Sequence, residues 1–114
     1  MPKRKNKTLS AAQLGAVARL FAVLSEASRL ALLQALHDGP LTVNELVAAS
    51  GMKQANVSKQ LAILHDQHLV KREREGTSIR YEIADPMVFS LCNLVCGKVA
   101  KDARCAVAVF HPEI

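Results

Sequence analysis

Leu14, Val17, Phe21 and Leu24 stand three and four residues apart, so the first ordered stretch of the chain reads as a helix with one apolar stripe. Ser10, followed three residues later by Gln13, is a capping-box pattern that marks where this helix starts. A second helix is expected from about 27 to 36, with Leu30, Leu33 and Leu36 inward, and Gly39-Pro40 stops it. Thr42-Val43-Asn44-Glu45 repeats the capping-box pattern and opens a short third helix, in which Leu46 and Val47 are apolar and which Ser50-Gly51 ends. A fourth helix, from about 54 to 67, carries Val57, Leu61 and Leu64 on its inner face. Two short helices joined by a tight glycine-containing turn, the second longer and polar outside, form a helix-turn-helix.

The period then changes from helical to alternating. Residues 69–74 are extended in character, Glu75-Gly76-Thr77 reads as a turn, and 78–83 places Ile79, Tyr81 and Ile83 on one side. The result is a β-hairpin with Arg on both strands, directly after the fourth helix. Asp85 as N-cap and Pro86 as first residue start a last helix. Val88, Phe89, Leu91, Cys92, Leu94, Val95 and Val99 cover much of its circumference, so something outside a small domain's own core must cover it. The expected cover is a second copy, packed through this helix and the first. The predicted architecture is mainly α with a small β-hairpin, in the order α-α-α-α-β-β-α: a homodimeric winged helix-turn-helix. Residues 1–9 are expected to form a basic flexible tail. The winged helix-turn-helix domain covers 10–105, with dimerisation helices at 10–24 and 86–105, and 106–114 is a C-terminal tail.

Composition narrows the function. The 114 residues suffice for one domain, and a half-hydrophobic chain with 22% charged residues is globular. A formal net charge of +5 favours a polyanionic partner. One Tyr, three Phe and no Trp leave no stacking platform for single strands, and the winged helix-turn-helix pattern suits double-stranded DNA instead. No apolar run is long enough to span a bilayer and no signal peptide follows Met1, so the expectation is a cytoplasmic protein without a membrane partner. Three cysteines in an untargeted chain point to reduced thiols and not to a disulfide framework. No nucleophile, base and orienting group stand at motif spacing, so the chain does not read as an enzyme.

A helix lying in the major groove reads base edges with short polar side chains near its N-terminus. Gln54, Asn56, Ser58 and Lys59 supply that face, with Gln60 a lesser candidate. Arg72, Arg74 and Arg80 of the hairpin suit phosphate or minor-groove contact, tempered by Glu73, Glu75 and Glu82. The plain alternative is a solvated helix face and a charged hairpin. Lys3, Arg4, Lys5 and Lys7 make the N-terminal tail either a solubilising end or a phosphate-contacting arm.

Cys92 and Cys96, one turn apart on the last helix, share a face and suit a thiophilic centre such as As(III), Cd, Hg or Zn. Cys105 falls on roughly the opposite face of an unbroken helix and joins them only through a break or from the other subunit. The same thiols also fit plain core packing or an oxidation sensor, so no cofactor is certain. His65 and His68, near the end of the fourth helix, fit charge compensation of its C-terminus better than metal ligation. His111 and Glu113 stand in the C-terminal tail, where a ligand is conceivable.

Several runs carry a family resemblance. Leu20-Phe21-Ala22-Val23-Leu24-Ser25, Ser28-Arg29-Leu30, Asn56-Val57-Ser58-Lys59-Gln60-Leu61, Leu69-Val70 and Arg74-Glu75-Gly76 together resemble the ArsR/SmtB family, over about 14–95. The resemblance implies a homodimeric repressor whose recognition helices enter adjacent major grooves of a palindromic operator and leave when an inducer binds. The family's familiar inducer sites do not carry over. Thr42 and Asn44 stand where the arsenic or cadmium type has cysteines, and the zinc-type positions fall on Asp85, Met87, Lys98 and Lys101, where only the Asp fits. The dithiol-switch type would need a cysteine near Gln34, and Lys53 replaces the usual serine N-cap of the recognition helix. The expected function is therefore a DNA-binding repressor released by a thiophilic metal or metalloid at the last helix. Its alternatives are a repressor with an oxidative inducer or none, and a winged helix that binds protein instead of DNA.

Overall fold

Ser10 closes the start of α1 (Ala11–Leu24) as expected: its hydroxyl accepts from the Gln13 N–H, and Gln13 Oε1 accepts from the Ser10 N–H at 2.8 Å. This is a computed structural model that describes residues 8–110, with side-chain surroundings for 8–103. Lys3, Arg4, Lys5, Lys7, His111, Glu113 and the side chain of Cys105 lie outside the described residues. After α1 come α2 (Ala27–Ala35), a 3-10 turn (Leu36–Asp38), β1 (Leu41–Thr42), α3 (Val43–Ser50), α4 (Gln54–Asp66), β2 (Val70–Glu75), β3 (Ser78–Ile83) and α5 (Pro86–Phe110).

Leu32, Leu33, Leu36, Leu46, Leu61 and Leu64 are the centre of the core, each essentially without exposure. Leu30 was expected inside and is 42% exposed instead. The reason is phase: α2, which packs on α3 and α4, turns Leu32 and Leu33 inward, with Leu36 of the 3-10 turn beside them, and this leaves residue 30 on its outer side.

The expected hairpin is present within a larger sheet. Leu41 pairs with Tyr81 and Thr42 with Arg80, so β1 makes the order β1-β3-β2, all antiparallel. A two-residue strand is too short to show a period, and Thr42 also caps α3. Glu75 pairs with Ser78, which shortens the hairpin loop to Gly76 and Thr77. Gly76 takes φ 64, where a side chain would be strained.

Leu69 stays out of the strand because it closes the end of α4. Its N–H donates to the Leu64 carbonyl and the His68 N–H to the His65 carbonyl, with His68 at φ 60 between them. This is a Schellman closure with His in the position usually held by Gly, and Leu64 and Leu69 make its buried apolar contact. His68 therefore terminates the helix by its backbone conformation.

Asp85 caps α5 as expected, its carboxylate accepting from the Met87 N–H at 2.9 Å. Val88 is buried, and Phe89 meets His37 of the 3-10 turn edge to face at 5.1 Å. Beyond those turns α5 leaves the core and runs to Phe110, past the boundary expected at 105. No Gly or Pro stands between Gly97 and Pro112, and four alanines favour continuation.

Candidate nucleic-acid interface

The turn between α3 and α4 aims the N-terminus of α4 outward. Gly51 ends α3 at φ 74, with its N–H on the Val47 carbonyl. Lys53 stands at the N-cap of α4 and gives no side-chain cap hydrogen bond, so the first N–H groups of α4 have no side-chain acceptor there. Those groups and the Lys53 ammonium together favour an anion.

Val57, Leu61 and Leu64 face the core, as the period requires. Gln54, Ser58 and Lys59 are exposed on the outer side, where a duplex would meet them. Asn56 is half-buried at the edge of that face.

Gln60 is a correction. Expected among the base-reading residues, it is only 7% exposed and lies with the inward leucines. Its Oε1 accepts from Arg29 Nη1 at 2.8 Å, and its Nε2 donates to Asn56 Oδ1 at 3.0 Å. Burial is tolerable because both ends of the amide are bonded. Positions 57, 60, 61 and 64 follow the inward helical spacing, and that period was the signal that could have assigned Gln60 to the inner face. Arg29, 31 residues away, has no such signal and enters only through the fold.

The hairpin divides its arginines by register. Arg72 lies opposite Tyr81 and Arg74 opposite Ile79, so these two share one face of the ribbon. Arg80 lies opposite Glu73 on the other face, together with Lys71 and Glu82. There Arg80 Nε is 2.9 Å from Glu75 Oε1, and Lys71 Nζ is 3.4 Å from Glu82 Oε2. Arg72 and Arg74 are exposed and have no ion pair among the described residues. The expected trio is therefore split: Arg80 is paired with Glu75, and Arg72 and Arg74 have no ion pair among the described residues.

On α5, Cys92 is half-buried against the core and Cys96 is exposed. Burial, and secondarily the neighbouring Cys96, push the Cys92 thiol above its usual range. Among the described residues no three His, Cys, Asp or Glu side chains gather as a metal cluster. Among the described residues α5 thus offers two thiols, too few by themselves for a closed tetrahedral site. No described helix is long and apolar enough to cross a membrane.

The model of bacterial regulatory proteins of the arsR family matches residues 26–72. A transcriptional repressor SmtB homolog from Synechocystis sp. is 39% identical over 85 residues, covering 75% of this chain and 64% of that protein. The chain thus matches less than two thirds of that curated relative's length. The crystal structure of the AntR antimony-specific transcriptional repressor superposes with TM-score 0.78 at 36% identity, over 89% of this chain and 92% of that one. The homodimeric winged helix-turn-helix DNA-binding domain from Mycobacterium bovis, solved by NMR, gives TM-score 0.71 at 34% identity, over 91% and 93% of the two chains.

Proposed function

The chain belongs to the arsR family of bacterial regulatory proteins, and from that premise we propose that it is a homodimeric repressor that grips duplex DNA through α4 and the wing. The observation that carries this reading is the exposed N-terminal face of α4, with Gln54, Ser58 and Lys59, combined with a wing face where Arg72 and Arg74 have no ion pair among the described residues. The first group has the reach and polarity to read base edges, with Asn56 at its margin; the second binds phosphate without regard to sequence. Two-fold pairing of protomers through α1 and α5 would present two α4 helices to a palindromic operator.

The releasing signal we propose is a thiophilic metalloid at Cys92 and Cys96, with the partner protomer or Cys105 supplying any further sulfur. A similar repressor is named antimony-specific, and this chain's α5 offers soft thiols in the segment that leaves the core. A ligand that binds one dimer geometry more tightly shifts the population away from the DNA-competent one. Each thiol proton leaves with a hydroxyl of arsenous acid as water when an As–S bond forms, so capture releases no net proton and the raised Cys92 thiol is no obstacle to it at neutral pH.

Fluorescence anisotropy of the reduced protein on the DNA upstream of its own gene tests both halves. The expected result is salt-sensitive binding, relieved by arsenite or antimonite and no longer relieved in the Cys92→Ser/Cys96→Ser variant. Arg72→Ala should weaken all duplexes and lower the salt slope by about 1.8, about 0.9 for each of the dimer's two copies, whereas Arg80→Ala leaves the slope close to wild type. Absence of duplex binding at physiological salt would overturn the repressor reading. Binding that ignores both metalloids would leave the repressor and remove the thiol inducer.

A further inference from the structure

Arg29 sits in the first turn of α2, yet its guanidinium bonds to two other helices. Its Nε donates to the Val23 carbonyl near the end of α1 at 2.7 Å, and its Nη1 donates to Gln60 Oε1 on α4 at 2.8 Å. Gln60 Nε2 donates to Asn56 Oδ1 at 3.0 Å, and Asn56 Nδ2 lies 3.5 Å from the Met52 sulfur. The direction of every bond in this chain follows from its first member. A guanidinium has donors only, so Gln60 must turn its oxygen toward Arg29. That leaves the Gln60 amino group for Asn56, which must turn its own oxygen inward. The Asn56 amino group, held by nothing stronger than a thioether sulfur, is then the group left for a base.

We propose that Arg29, acting through Gln60, sets the hydrogen-bond polarity of Asn56, so that Asn56 meets the major groove as a donor and selects bases that present acceptors. Arg29 and Gln60 are positioning residues for this choice and do not themselves touch DNA. The inference rests on the reading of α4 as the recognition helix. A donor at this point favours N7 and O6 of guanine or O4 of thymine, finds only N7 beside a donor on adenine, and disfavours the amino group of cytosine. The two-pronged contact by which Asn commonly holds adenine needs the oxygen as well, and here that oxygen is engaged inward. The same guanidinium holds the end of α1, so one residue joins a helix of the proposed dimer face to a base-reading side chain.

The test selects duplexes from a pool with a randomised core, using wild type, Gln60→Glu, and Gln60→Glu in an Asn56→Ala background. The carboxylate of the Gln60→Glu variant still accepts from Arg29 but cannot donate, so the Asn56 amide turns over and offers its oxygen outward. At one position of each half-site, preference should move from guanine or thymine toward cytosine or adenine, by roughly tenfold in relative affinity. The added negative charge weakens all duplexes alike and does not alter this ratio. In the Asn56→Ala background the substitution should leave base choice unchanged. A purely structural role for Gln60 would change melting temperature and overall affinity without moving base preference at one position. Arg29→Lys, which keeps the charge but loses the two-armed geometry, should relax preference at that same position and serves if Gln60→Glu does not fold. Identical selected sequences for wild type and a folded variant would overturn the proposal, as would a shift that persists without Asn56. If wild type selects no sequence at all, the recognition-helix reading itself fails and this inference with it.

Discussion

Leu61 on α4 and Leu94 on α5 are the same side chain, each in an apolar pattern of helical spacing, yet one is 0% and the other 74% exposed. The stripe of α4 is closed within the protomer by α2, α3 and the sheet. Leu14, Val17 and Phe21 of α1, and Leu94, Val95 and Val99 of α5, have no such cover among the described residues. The radius of gyration, 17.4 Å against about 13 Å for a compact chain of this length, records the same fact. A period identifies which side of a helix is apolar; what lies against that side is decided by the fold or by another molecule. Two uncovered stripes on the helices that flank the winged core mark a surface for association.

The contrast breaks most sharply at Leu61. Its methyl groups are surrounded by side chains that cannot all move in, so Leu61→Ala should cost about 3–4 kcal/mol, the sum of lost transfer energy and a residual cavity. Urea unfolding at matched protein concentrations would read this as a lower midpoint with an unchanged slope. A cost under about 1 kcal/mol would mean that the α4 stripe is less tightly enclosed than its burial indicates.

Phe21 is the counterpart on the open side, at 59% exposure. If a second copy covers it, Phe21→Asp places a charge in an apolar contact and should raise the dimer dissociation constant by at least ~30-fold, the effect of losing about 2 kcal/mol at an interface centre. Sedimentation equilibrium would show monomer where wild type is dimer, with helix content largely retained. A variant that dimerises as wild type does would show that this stripe is covered by something else.

Much of this contrast was legible in the sequence, and the residues show where legibility ends. Both capping boxes, the Asp85 cap and the Val57, Leu61 and Leu64 stripe depend on neighbours within one helical turn, and each was readable from spacing alone. The uncovered character of α5 was readable as well, because too much of its circumference is apolar for a small domain to hide. Leu30 was misplaced because α2 packs at a phase that its leucines, spread round the helix, do not announce. β1 escaped because its reason to exist is Tyr81, some forty residues away. Arg80 was grouped with Arg72 and Arg74 because the hairpin's extra pair, Glu75 with Ser78, fixes the register that separates them. In the candidate site, the outer face of α4 followed from local pattern, whereas the link from Gln60 to Arg29 is a long-range contact that no spacing rule contains.

The two helix starts of the helix-turn-helix differ in the same instructive way, and they give the smallest expected effect. At α3, Thr42 Oγ1 accepts from the Glu45 N–H at 3.2 Å and Glu45 Oε1 accepts from the Thr42 N–H at 2.8 Å. At α4, Lys53 supplies no such cap. Thr42→Ala should therefore cost about 1 kcal/mol of stability, and Lys53→Ala close to none. The Glu45 arm also has a pH signature. The Thr42 backbone N–H, chiefly, holds the Glu45 carboxyl below its ordinary range; desolvation opposes it, and the Thr42 hydroxyl and Arg80 assist to a smaller degree. A carboxyl whose folded pKa is depressed stabilises the fold above its unfolded value, and that contribution is lost as pH falls through the folded value. The stability gap between wild type and Glu45→Gln should thus be open at neutral pH and close in acid. A gap of constant size across the carboxylate range would mean that the box works by hydrogen-bond geometry alone, with the charge on Glu45 adding nothing at the start of α3.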